Sequence, residues 1–390
     1  MLQVRLDAIP RRLLICGASA RAAAFSALRA GIEPICADLF ADQDLCRVAR
    51  TVVIDDYPRG LTNTISELPP APWIYTGAFE NYPRTIAEIA RRRTLLGNGP
   101  ETLARVRDPL AWLRCLRENR LPILEVRAEK NPPPRDGTWI CKPLQSAGGA
   151  NMQIWDAQTP PVPPRRSIFY QRLAEGDAYS ALFLAFPGGA ELIGVTRQLI
   201  GIPELNAAPF AYCGSIGPVS LPESIVEQLQ KTGRCLAEFA EMRGLFGCDF
   251  LYDGTTAWPT EINPRYTASA EIYERCWDVP LLSWHSRACL GDFEASASHD
   301  LHRMTRSLWE KPLQLHGKAI LFACEPYVVP DLLPSRGGGG IAAAEEIADV
   351  PVPDSTIPSG RPICTVFAAA GSVEECLAQL KIKSTTILKT

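Results

Sequence analysis

The stretch GCDFLYDGTTAWPTEINPR, residues 247–265, constrains this chain more than any other. Asp253-Gly254 is its strongest two-residue hairpin signal, because such a pair supplies the positive φ angles that a tight turn needs. Cys248 to Tyr252 alternates as one strand, and Trp258 to Ile262 reads as the strand returning beside it. Folding about that turn brings Asp249 and Glu261 across from one another. Asn263 lies two residues past Glu261, so a strand points both to one face. Arg265 continues that face as a fixed cation. Asp249, Glu261 and Asn263 make an all-oxygen set of the kind that holds Mg2+ (or Mn2+) shared with phosphates. Burying so many polar groups without a use would be costly.

The first hundred residues alternate between strand and helix. Leu13 to Cys16, Pro34 to Ala37, Thr51 to Ile54 and Ile74 to Thr76 read as buried strands. Ser19 to Ala30 and Pro83 to Arg92 read as helices, the first stopped by Gly31. Such alternation predicts a parallel sheet, and parallel sheets collect ligands at the carboxyl ends of their strands. The segment YTGAFEN, Tyr75 to Asn81, sits at one such end. It is read either as a turn, with Gly77 for backbone freedom and Asn81 capping the helix at Pro83, or as a substrate-facing segment. The turn Gly17-Ala18-Ser19-Ala20 lacks the later glycines of a dinucleotide fingerprint, although Asp38 stands where a ribose-binding acid would. A nicotinamide-dependent dehydrogenase on this sheet is therefore a competing reading, and it leaves EINPR unexplained.

After Pro132-Pro133-Pro134 the chain changes character. Trp139 to Cys141 reads as a strand delivering Lys142, Ser146-Ala147-Gly148-Gly149 as a turn, and Met152 to Trp155 as the return strand. This is a hairpin, not the strand–loop–helix of a Walker A motif. A fixed ammonium and glycine N–H groups can still cradle phosphate. Ile168 to Tyr170 is a further strand, and a strand end at Gln171 to Leu173 can offer backbone groups to an adenine edge. An acid a few residues on, such as Asp177, could accept from ribose hydroxyls.

Composition narrows the classes. The 390 residues are 46% hydrophobic and 21% charged, enough core for two or three packed units. A net charge of -3 draws the chain neither to nucleic acid nor to anionic lipid. The 13 cysteines include no C-x-x-C pair, and the four histidines all lie beyond residue 280. Buried thiols in a reducing, cytoplasmic setting are expected rather than a Cys/His zinc site. No stretch approaches the roughly 20 apolar residues of a membrane-spanning helix.

A lysine on a strand, a small-residue loop, a strand-end hinge and D-F…E-I-N-P-R, in this order, resemble the ATP-grasp superfamily of ligases. The resemblance runs from Leu13 to about Leu290. It implies α/β plus α+β architecture: an N-terminal parallel α/β (pre-ATP-grasp) domain over 1–105, a central subdomain with the glycine loop over 106–180, a catalytic subdomain over 181–310 and a small C-terminal β-rich extension over 311–390. It implies ATP and Mg2+ as cofactors, with Lys142 on the phosphates and Ser146, Gly148 and Gly149 covering them. Gln171 and Leu173 would face adenine and Asp177 ribose. Asp249, Glu261 and Asn263 would hold metal, and Arg265 the transferred phosphoryl group and substrate. Where many members carry a basic residue just before the central domain, this chain reads RVRDP, so Arg105 or Arg107 is the candidate replacement. Thr76, Gly77, Glu80 and Asn81 are the candidate substrate residues, with Glu80 recognising an ammonium group.

More narrowly, YTGAFENYP, GNGPETLARVRDP and EINPRYTAS look like ATP-grasp proteins of tetrahydromethanopterin- and methanofuran-dependent one-carbon metabolism, to which tyramine–glutamate ligases are related. The implied reaction joins a carboxylate, such as glutamate, to an amine through an acylphosphate, releasing ADP and phosphate. An ATP-dependent carboxylase and a non-catalytic ATP-binding subunit are the alternatives within the same fold, and a homodimer is a possible assembly. The run Gly337 to Gly340 reads as a linker.

Overall fold

The computed structural model describes residues 9–158, 167–291, 314–332 and 346–388, with 301–303, 305–307 and 309. The Gly337–Gly340 run and the expected 310/311 boundary lie outside the described residues.

The N-terminal sheet is parallel, as expected. Its strands are β1 (Arg12–Gly17), β2 (Glu33–Asp38), β3 (Arg50–Val53) and β4 (Trp73–Tyr75), in the order β3-β2-β1-β4. β1 is buried on both faces, which is why it reads as an unbroken apolar run. Leu13 and Ile15 pack toward the rest of the molecule in one core, whereas Leu14 and Cys16 belong to a second core with Ile65, Phe79 and Ile86. Two short helices that the sequence reading missed, Gln43–Val48 and Leu61–Ser66, complete the unit. Gly31 adopts φ +71° and stops the first helix, Arg21–Arg29.

The central unit is a four-stranded antiparallel sheet of β5 (Val126–Ala128), β6 (Asp136–Pro143), β7 (Gln153–Asp156) and β8 (Ile168–Arg172), in the order β5-β8-β6-β7. The lysine hairpin is β6 and β7. The largest sheet holds β9 (Asp177–Phe186), β10 (Gly189–Ile200), β11 (Tyr212–Gly217), β12 (Gly244–Tyr252), β13 (Ala257–Asn263) and β14 (Leu315–Phe322). Beyond these, β15 (Tyr327–Val328) pairs with β17 (Thr356–Ile357), while β16 (Ile347–Ala348) and β18 (Pro362–Ala370) return to the large sheet. Its order among the described residues is β13-β12-β9-β10-β11-β14-β18-β16. The C-terminal strands β14, β18 and β16 thus continue the large sheet. The 180/181 boundary falls inside β9; the change of sheet comes between Arg172 and Asp177.

A buried ion network ties the units together. Arg21 Nη1 donates to Glu271 Oε1 at 2.5 Å, Lys318 Nζ to Glu271 Oε2 at 3.2 Å, and Arg21 Nε to Asp349 Oδ1 at 2.9 Å. Burial alone would raise the Glu271 carboxyl, but Arg21 and Lys318 outweigh it and hold the group well below the usual carboxylate range.

Candidate active site

The hairpin of β12 and β13 turns through four residues, Asp253 to Thr256, rather than through a two-residue loop. Asp253 Oδ1 accepts from the backbone N–H groups of Thr255 and Thr256, so its side chain builds the wider turn. A bulge then restores the pairing the sequence suggested. Phe250 faces Pro259 and Asp249 faces Glu261, which leaves Thr260 as the extra residue. Pro259 is tolerated because β13 is the edge of the sheet. The carbonyl of the bulged Thr260 accepts from Lys142 Nζ at 3.2 Å. The defect in the ladder thereby joins the lysine strand to the carboxylate strand.

Lys142 also donates to Gln171 Oε1 at 3.1 Å. β6 and β8 pair Ile140 with Gln171, so Lys142 lies diagonally across from Gln171 on one face. An ammonium has no acceptor to offer, so the amide oxygen takes it and Gln171 Nε2 is left buried without a partner. Burial lowers the Lys142 pKa, and the charges of Glu261 and Asp249 partly oppose that. Asp249 moves the other way. Burial and the facing Glu261 push it up to about 6, against hydrogen bonds from Ser180 and Gln198.

These groups open on one cavity of about 310 Å³, within the roughly 300–1,000 Å³ of small-molecule sites. Glu80, Lys142, Asp249, Glu261, Asn263 and Arg265 line it. Ser146, Gly148 and Gly149 also line it, as do Gln171 and Leu173 with apolar Leu124, Ile140 and Leu251. Gly148 O accepts from Tyr212 N at 3.1 Å, and Gly149 abuts the Phe210 carbonyl, so the glycine loop is docked on the strand opposite.

Six predicted residues do not line the cavity. Asp177 is exposed and paired with Arg197 at 3.0 Å. Ala178 and Ser180 line the cavity, so the alternation of β9 turns Asp177 to its other face. Arg107 stands behind the wall, its Nη1 donating to Leu144 O at 3.4 Å and its Nη2 lying 3.5 Å from Glu80. Arg105 instead pairs with Glu241 at 2.7 Å. Thr76 Oγ1 donates to Ser19 O. A Cβ at Gly77 would meet the Arg265 guanidinium only in ordinary contact, and the left-handed residue of the turn is Ala78 (φ +69°), not Gly77. Asn81 gives its Nδ2 to Ser146 O at 3.1 Å and does not cap the next helix.

Arg265 Nε donates to Glu80 Oε1 at 2.8 Å and its Nη2 to Asn263 Oδ1 at 3.1 Å. Asn263 in turn shows Nδ2 to Asp249 Oδ2 at 3.1 Å. To join a metal, this amide would rotate to present its oxygen and release Arg265. The two carboxylates fit a hard divalent cation, because it would relieve the repulsion that raises Asp249. Among the described residues, no group of three or more His, Cys, Asp or Glu side chains could hold a metal. The candidate set is therefore two carboxylates and one amide. Ser180, Gln198 and the docking segment from Phe210 to Tyr212, where β11 begins, were missed in the sequence. The alternation Thr196-x-Gln198 within the apolar β10 is a faint signal, and nothing local marks the rest.

Residues 106–269 match the sequence profile of the ATP-grasp domain. The chain carries an ATP-grasp domain. Among curated proteins, an uncharacterized protein of Methanocaldococcus jannaschii is 24% identical over 292 residues, covering 70% of this chain and 63% of that protein. This chain thus spans less than two thirds of that relative's length. Among solved structures, the biotin carboxylase domain dimer of Hydrogenobacter thermophilus 2-oxoglutarate carboxylase, in complex with MgADP, ADP and bicarbonate, has a TM-score of 0.69 at 12% identity, covering 98% of this chain and 90% of that one. Phosphoribosylglycinamide synthetase from Anaerococcus prevotii has a TM-score of 0.64 at 13% identity, covering 97% and 98%. The ATP-grasp fold accordingly extends over nearly all of the chain.

Proposed function

We propose that this protein is an ATP-dependent ligase that joins a carboxylate to an amine through an acylphosphate and releases ADP and phosphate. The observation that carries this reading is the convergence of Lys142, the Asp249/Glu261 pair and Arg265 on the cavity closed by the glycine loop. The apolar end beside Gln171 and Leu173 takes adenine, and the unpartnered Gln171 Nε2 supplies a donor there. Lys142 offsets phosphate charge, and Arg265 holds the substrate carboxylate in line with the phosphoryl group it attacks. Asp249, Glu261 and a rotated Asn263 would hold Mg2+, which when bound neutralises and clamps the phosphates. The closed loop keeps water from the acylphosphate. No protein nucleophile is required.

Glu80 lines the cavity, and its Oε2 is a buried acceptor without a partner. It favours a substrate ammonium near Arg265, and hence an amino acid. Glu80 also spends Oε1 on Arg265, so it orients that arginine as well as facing the amine. The motif resemblance extends the proposal to glutamate as the amino acid and to the making of a methanofuran-like cofactor. A cytoplasmic location and a homodimer belong to the same proposal. Among the described residues no helix is long and apolar enough to cross a membrane.

The test is ADP and phosphate release from Mg-ATP, first with single amino acids and then with amino acid plus amine, including glutamate with tyramine. Release that requires one pair, with the amide found by mass spectrometry, is the expected result. Release with bicarbonate alone would favour a carboxylase. Nucleotide binding without turnover on any pair would favour the non-catalytic subunit.

A further inference from the structure

The glycine loop is held from two sides, and only one hold comes from the unit that carries the lysine's opposing strand. On the large sheet, Tyr212 N donates to Gly148 O at 3.1 Å. On the N-terminal sheet, Asn81 Nδ2 donates to Ser146 O at 3.1 Å, and Gln145 Nε2 reaches Asn81 O at 3.5 Å. The turn bearing Asn81 is rigid. Phe79 is fully buried, its ring 6.3 Å from Tyr75 and Tyr57 and 6.0 Å from Tyr82. Ala78 is locked in the left-handed region just before it. One residue before Asn81, Glu80 grips Arg265 at 2.8 Å.

We propose that Asn81 is a latch, a positioning residue through which the N-terminal sheet holds the glycine loop closed and keeps closure in step with the placement of Arg265. Nδ2 faces the loop while Oδ1 remains unpaired and buried, so the hold of this side chain on the loop is the single Nδ2 bond. The bond runs from a fixed turn to a backbone carbonyl, so no side-chain rearrangement of Ser146 can replace it. The link to catalysis rests on the ATP reading above; the latch itself does not.

The experiment is hydrogen–deuterium exchange over residues 144–152 of the full chain, with and without Mg-AMP-PNP, for the native protein, Asn81→Ala and Asn81→Asp. Asp keeps the size but removes the donor, so it stands in if Ala fails to fold. Both variants are expected to exchange the nucleotide-free loop about 2- to 10-fold faster, the effect of one neutral hydrogen bond. Exchange of β1 and β4 should stay unchanged, which separates a latch from general loosening. The Kd for Mg-AMP-PNP should rise by a similar factor. Loop exchange equal to native in a variant with unchanged β1 and β4 overturns the latch. If the native protein binds no nucleotide, the ATP reading fails, while the nucleotide-free exchange still decides the latch.

Discussion

Two adjacent glycines should behave very differently when each becomes alanine. At Gly148 an added Cβ meets nothing within 4 Å, so Gly148→Ala costs only the strain of an alanine at φ +59°. That strain is about 1 kcal/mol, roughly fivefold in the closed-to-open equilibrium. At Gly149 the added Cβ would stand 1.8 Å from the Phe210 carbonyl oxygen and 2.7 Å from its carbon. Carbon and carbonyl oxygen come no closer than about 3.3 Å even in attractive contacts. The loop or the strand must move by roughly 1.5 Å, and both clashing atoms are backbone. The Tyr212–Gly148 bond, now 3.1 Å, cannot survive that shift. Adding its loss to the strain at φ +77° gives roughly 2–3 kcal/mol, about 30- to 150-fold. The assay is the Kd for Mg-AMP-PNP by calorimetry on both variants, with thermal melting as the check on global folding. A Gly149→Ala protein that binds as tightly as Gly148→Ala would refute the docked-loop argument.

Further outcomes follow from other parts of the molecule. Asp249→Asn should lower kcat by about a hundredfold or more while leaving nucleotide affinity within about tenfold, since removing the charge removes metal-assisted chemistry more than binding; steady-state kinetics beside calorimetry would separate the two. Arg21→Met leaves Glu271 with only part of its partners and should cost about 3–5 kcal/mol in urea unfolding. His285 is buried and neutral, its Nδ1 accepting from Leu245 N and its Nε2 donating to Leu96 O, and burial lowers its pKa to about 4. The unfolded chain therefore binds the extra proton between about 6.5 and 4, and stability falls by up to about 3 kcal/mol as pH drops through that window; His285→Gln should flatten the slope of unfolding free energy against pH there. Ala78→Gly should relieve part of the left-handed strain, raising stability by up to about 1 kcal/mol in the same unfolding assay.

The grouping of these side chains at the cavity was legible wherever it depended on neighbours along one strand. Glu261, Asn263 and Arg265 follow a period of two, and Asp249 reaches Glu261 through a hairpin whose turn residues are local. The length of that turn was not legible, because Asp253 hydrogen-bonds two residues past the glycine and a bulge downstream absorbs the difference. Asp177 failed for a related reason. It follows Gln171 by a few residues along the chain, which suggested a ribose contact, but which face of β9 it occupies is set by pairing with β12.

The sequence by itself determined the strands of the first sheet, its parallel character and the charged groups along the β12–β13 hairpin. Those follow from side-chain periodicity and backbone preference, which act over a few residues. Only the tertiary structure decided that Glu80 holds Arg265 from 185 residues away, that Asn81 reaches the glycine loop from 65, and that the C-terminal strands extend the large sheet. Contacts of that span are fixed by how the buried faces of separate sheets pack, as when Leu13 and Ile15 of β1 share one core with Leu182 and Leu184 of β9. No local pattern encodes which of several apolar faces will meet.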